Sequence, residues 1–171
     1  MATTTPNNGW AVPTSTDYVK DGATAIETLG DAIDTSVGTG LLAWTSYTPT
    51  FTNFTLGNGT ITYAKYAKLG KIVCIEVVIT LGSTSSVSGR IGVSLPVTAA
   101  FAANKTNSTC QLDAGAISGT GSMTLGSTTR IDLYAQNVAG TYLTNTNTTN
   151  LIPGTWANGS SFSFKTVYEA A

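Results

Sequence analysis

The stretch from Lys71 to Leu81 sets the strongest limit on what this chain can fold into. Val73, Ile75, Val77, Ile79 and Leu81 fall on one side of an extended segment, and Ile72, Cys74, Glu76 and Val78 on the other. Period-two alternation is a strand signal. A strand apolar on both faces belongs inside a sandwich or at a subunit interface. Gly70 separates it from a second apolar run, Ile61 to Leu69, so the two read as a hairpin. Arg90 to Thr98 alternates Ile91, Val93, Leu95 and Val97 against polar or small residues. Tyr47 to Phe54, Thr109 to Ile117, Arg130 to Asn137 and Phe162 to Tyr168 follow as further strands, with an Asn-Gly turn signal at Asn58-Gly59. About eight short strands at this spacing predict a jelly-roll-like β-sandwich.

Composition agrees. Thr, Ser, Asn and Gly fill 76 of 171 positions, and these residues favour strands and turns. Charged residues are only 10%, against about 25% in an average soluble protein. Such a polar but uncharged surface suits a protein displayed outside cells and packed against copies of itself.

Before the β region the pattern changes. Residues 1–20 read as an extended arm, with Pro6 and Pro13 opposing helix. Trp10, Val12 and Tyr18 are large apolar groups that a disordered tail rarely carries, so they are the candidates for docking on a partner. Residues 21–40 hold the one helix signal, running from Asp21 as N-cap to a Gly38-Thr39-Gly40 stop. Val19, Ile26, Leu29 and Ile33 recur at heptad spacing. A helix this short, with Gly30 inside, is marginal alone, so its stripe needs a partner. The candidates are its own β domain, 41–171, and other copies of the chain, and the narrow stripe favours the copies.

The candidate chemistry is sparse. With no His, His-based triads and His-ligated zinc are excluded. No Cys-x-x-Cys, calcium loop or phosphate loop is present, so neither metal nor cofactor is expected. The net charge of −1 argues against nucleic acid as partner. No apolar run is long enough to enter a membrane, and the N-terminus lacks a secretory pattern. Cys74 and Cys110 are then expected to be free thiols rather than a disulfide. Asp113 and Asp132 lie in strands as solvent-facing positions, the alternative being a glycosidase pair. Glu76, on an otherwise apolar strand, needs a cation, from Lys65, Lys68 or Arg90. Sequons at Asn104 and Asn107, among others, read as compositional.

A glycan contact needs hydroxyls, amides and an aromatic face on loops. Gly119 to Thr129 and Gly140 to Gly159 combine the small polar residues, and the second carries Tyr142, Asn145, Asn147 and Trp156. The alternative role for these residues is core packing or loop anchoring.

Several elements together resemble the minor tail or tail-fibre proteins of tailed phages infecting actinobacteria. They are the Ala-Ile-x-x-Leu-Gly-Asp-Ala-Ile-Asp helix from Ala25 to Asp34, Tyr-Thr-Pro-Thr at Tyr47 to Thr50, and Gly-Asn-Gly-Thr at Gly57 to Thr60. Leu-Gly-Lys at Leu69 to Lys71 and Leu-Pro-Val at Leu95 to Val97 complete the set. The resemblance implies a homotrimer: an arm on the particle, a helix bundling three chains, and a β knob facing outward. The location implied is the virion surface, after synthesis in the bacterial cytoplasm. The expected function is therefore a non-enzymatic tail or baseplate fibre, whose partners are itself, other virion proteins and a host-surface glycan. The alternatives are a capsid decoration or head-fibre protein and, from another class, a carbohydrate-binding module or glycan hydrolase.

Overall fold

A computed structural model describes residues 3–6, 9–15, 18–38, 43–102, 108–137 and 142–171. The helix stop at Thr39 and Gly40, the sequons at Asn104 and Asn107, and Gly140 lie outside the described residues. Two compact units are present, residues 1–43 and 44–171.

In the first unit the arm doubles back on itself. Strand β1 (Thr3–Thr4) pairs antiparallel with β2 (Ala11–Val12). Gly9, at φ 66°, takes a left-handed conformation in this turn. A 3-10 turn over Val19–Asp21 runs directly into helix α1 (Gly22–Gly38). The helix lies against β2, so arm and helix form one unit rather than two consecutive segments.

The second unit is all β. Its strands are β3 (Thr45–Ser46), β4 (Phe51–Thr55), β5 (Thr60–Leu69), β6 (Ile72–Thr80) and β7 (Ser86–Ser94). They continue as β8 (Thr109–Ala114), β9 (Ile117–Ser127), β10 (Arg130–Asn137), β11 (Thr144–Asn147) and β12 (Ser161–Glu169). All ten belong to one curled sheet in the order β3-β5-β6-β12-β8-β9-β10-β7-β4, with β11 beside β10. The two ends of this order are parts of one continuous segment. Tyr47 N–H donates to Ala64 of β5, and Ser94 N–H of β7 donates to Thr50. Residues 45–55 thus bridge the sheet's two ends and curl it around a single core, a sandwich-like arrangement in which the wall strands alternate inward and outward residues over much of their length.

The alternation read from sequence sets the core. Val73, Ile75, Val77 and Ile79 of β6 are fully buried, as are Ile91, Val93, Ile131, Leu133 and Phe162. Phe162 meets Phe54 edge to face at 5.2 Å. Gly70, at φ 56°, makes the expected β5–β6 hairpin. The Asn58-Gly59 turn also forms, closed by Gly59 N–H to Leu56 O. It does not make a hairpin, however, because β4 pairs with β7 and β5 with β6.

One expected loop is a strand. Residues 119–129 read as a glycan-binding loop by composition, yet Ile117–Ser127 pairs with both β8 and β10. Met123 and Leu125 are buried in the core. Gly121 belongs to the ladder for a steric reason: a Cβ there would sit 2.2 Å from the Tyr134 carbonyl and 2.6 Å from Cys110 Sγ.

The edge of β10 is shared. Its first half pairs with β7 and its second half with β11. Buried Thr148 stands where the two diverge, its hydroxyl accepting the Ile91 N–H at 2.8 Å and donating to Gly89 O at 3.4 Å. Thr148→Val keeps the shape and strands both backbone groups, an expected loss of about 1–3 kcal/mol. A thermal melt checks it; an unchanged Tm would show that the divergence does not depend on this hydroxyl.

Candidate functional site

The helix seam is only partly as the heptad spacing predicts. Gly22, Ala25, Leu29 and Ala32 are the half-buried positions of α1. Ile26 is 65% exposed, Ile33 39% and Val37 52%, while Val19 before the helix is 97% exposed. Leu29 therefore belongs to the flank nearer the arm's own hairpin, and Ile26 and Ile33 to an outward row with Val19 and Val37. The covers expected for the stripe are the β domain and other copies of the chain. The arm itself is a third element, and it leaves the isoleucine row exposed.

The three arm candidates also separate. Trp10 and Val12 are half-buried in the hairpin, where Trp10 N–H donates to Thr5 Oγ1 at 3.0 Å and Val12 pairs with Thr3. Tyr18 is 74% exposed, with the Lys20 ammonium 5.4 Å from its ring centre. Of the three, Tyr18 is the one whose ring is open to a partner.

On the β unit, Tyr142 is exposed just before β11, and Asn145 and Asn147 are exposed on it. Asn147 stands opposite Tyr134, and Asn145 opposite Gln136, so all four share the outer face. Trp156 does not join them. It is half-buried, packs against the core, and its indole N–H donates to Thr149 O at 2.9 Å. It anchors the 148–160 segment, which is the alternative role named for it above.

The carboxylates have three different environments. Glu76 has the expected cation, with Lys65 Nζ at 3.3 Å. Asp113 is held by Ser118, Gln111 and Ser161, and the Ser118 hydroxyl in particular lowers its pKa. Asp132 departs from expectation: it is buried rather than solvent-facing. Arg130 Nε reaches its Oδ1 at 2.6 Å and Arg90 its Oδ2 at 3.0 Å. Arg90 also donates to Tyr134 Oη at 2.9 Å. Two glycines make the space: a Cβ at Gly126 would lie 2.2 Å from Asp132 Oδ2, and one at Gly92 2.6 Å from Arg130 Cδ. Each of these three carboxylates thus has a partner, and among the described residues no cluster of ligating side chains could hold a metal.

Cys74 and Cys110 are free. Strand β12 stands between β6 and β8, with Cys74 opposite Val167 and Cys110 opposite Phe164, which sets their backbones more than about 10 Å apart, beyond disulfide reach. Burial pushes the Cys110 thiol up to about 12, so it packs as an apolar group. Among the described residues no helix is long and apolar enough to cross a membrane.

Compared with family profiles, curated proteins and solved structures, the chain has no match.

Proposed function

We propose that the chain is a non-enzymatic structural protein of a phage particle, a homotrimeric tail or baseplate fibre with residues 44–171 as its displayed knob. The observation that carries the reading is the outward row Val19, Ile26 and Ile33. Exposed β-branched residues at strict heptad spacing are costly to leave in water and suit burial between copies. The tied-up carboxylates support a binding or structural role over hydrolysis. The motif resemblance supports the phage assignment, with the virion surface as location and host glycan as the surface met. A capsid decoration or head-fibre role is the second reading. It is favoured by the compact 1–43 unit with exposed Tyr18, a shape suited to lying on a protein lattice.

The test is deletion of residues 1–20 in a phage carrying this chain. The expected result is a chain that no longer joins particles, because Tyr18, the arm ring open to a partner, is gone together with the hairpin of Trp10 and Val12 and the first seam residue, Val19. Normal incorporation of the shortened chain would overturn the docking role. Immunogold labelling of wild-type particles then separates tail from capsid.

A further inference from the structure

The outer face of one wall carries an arrangement that strand-by-strand reading does not show. The register aligns Tyr63, Val78, Ser163, Gln111 and Thr120 in one row across β5, β6, β12, β8 and β9. The adjacent row is Lys65, Glu76 and Lys165. Between and along these rows runs an open groove of about 370 Å³. Its floor offers a hydroxyl from Ser163, Thr109 or Thr120, the Gln111 amide and the Glu76 carboxylate.

Beside the groove, on its β5 side, stand two exposed aromatic rings: Tyr63 next to the lining residue Val78, and Trp44 next to the lining residue Lys165. Trp44 is 44% exposed and Tyr63 52%. The Lys65 ammonium lies 5.0 Å from both ring centres, and Lys165 Nζ lies 5.5 Å from that of Trp44. Cation–π contact holds both ammoniums on this side. Two ammoniums therefore face one carboxylate. The imbalance extends to the whole unit: residues 44–171 hold seven of the eight basic residues and four of the nine acidic ones. The chain's overall charge of −1 conceals this.

We propose that this groove binds a hydroxyl-rich saccharide chain carrying anionic groups. Sugar hydroxyls meet Gln111, Thr109, Thr120 and Ser163, a ring face packs on Tyr63, and the anion takes charge-assisted hydrogen bonds from Lys165 and Lys65. Charge complementarity selects an acidic ligand over a neutral one. The inference rests on the knob being the part that meets a surface, and it names the chemistry that surface would present.

The test is calorimetric titration of the purified full chain at low salt with three probes. They are oligogalacturonate (carboxylate), oligomeric glycerol phosphate (phosphate) and a neutral maltooligosaccharide. At least one anionic probe is expected to bind with Kd below about 1 mM, and the neutral probe at least about tenfold more weakly. Which anionic probe binds identifies the carboxylate or phosphate source. Tyr63→Ala and Lys165→Ala, both at exposed positions, should each weaken binding about tenfold with Tm unchanged. Three results overturn the proposal: no binding of either anionic probe, equal binding of the neutral one, or wild-type affinity in both variants. A drop in particle mass by light scattering for Lys165→Ala also overturns it, because the groove would then hold the acidic segment of another copy. None of these outcomes depends on where the chain sits in a virion, so the titration and the immunogold result fail independently.

Discussion

Ile33→Asp is expected to convert the proposed trimer to monomer at micromolar concentration. The substitution places three carboxylates on the seam, one from each chain. Glu27, Asp31 and Asp34 already make the helix acidic, and Lys20 is the only basic residue before Lys65. No nearby cation can offset the new charges, and burying an unpaired carboxylate is among the costliest substitutions available. The helix has 17 residues, close to the limit at which helices persist alone, so it has little stability to spare. Light scattering should report one third of the wild-type mass. Ile33→Val, which keeps the apolar seam, should leave the mass unchanged. A wild-type chain that is already monomeric at this concentration would refute the trimer.

Asp132→Ala is expected to cost about 3 kcal/mol. Its side chain is 2% exposed and lies against two guanidiniums, each about one third exposed. Removing the carboxylate leaves Arg90 and Arg130 packed side by side with no counter-charge between them. Their partial access to water keeps the loss at the lower end of the range for a broken buried pair. For a unit of this size the corresponding fall in Tm is about 10 °C. The triple change Asp132→Leu, Arg90→Met and Arg130→Met should restore most of it, since apolar groups of similar volume can replace a buried ion cluster. A single variant that melts like the wild type would show that the arginines simply turn to solvent.

What was legible in the sequence followed the strength of the apolar alternation. β6 and its hairpin with β5 read directly, and the β10 range was read as it stands, because Ile, Val and Leu report which face is inward. Glu76 stands out by contrast with its apolar strand; the sequence leaves Lys65, Lys68 and Arg90 open as its partner, and the register selects Lys65. β9 was misread because Gly119, Gly121 and Gly126 look like loop residues. Gly121 and Gly126 are small because neighbouring backbone and side chains occupy the space a Cβ would fill, whereas the space beside Gly119 is open. Asp132 was read as solvent-facing by parity alone; it is on the outer face, but two long arginine side chains cover it. The groove was invisible for another reason. Tyr63, Glu76, Gln111, Thr120 and Lys165 come from five strands, and only the pairing register brings them into rows. Trp156 showed the opposite limit, since an aromatic residue among polar neighbours gives no sign of which way its ring turns.

The continuous segment that closes the sheet also decides how the unit meets mechanical load. Any tension on residues 1–43 enters the β unit at Trp44. The first structure it reaches is the short Thr45–Ser46 pairing with β5, followed by the Tyr47 and Thr50 contacts to opposite ends of the sheet. A pull on the arm therefore peels the closing segment before it loads β6, β12 or the buried phenylalanines. The last residues are tied elsewhere, with Ala170 N–H bonded to Lys71 O and Ala171 N–H to Thr98 O, so the carboxyl end is outside that line of force. The closing segment would yield first, a mechanical fuse that spares the core.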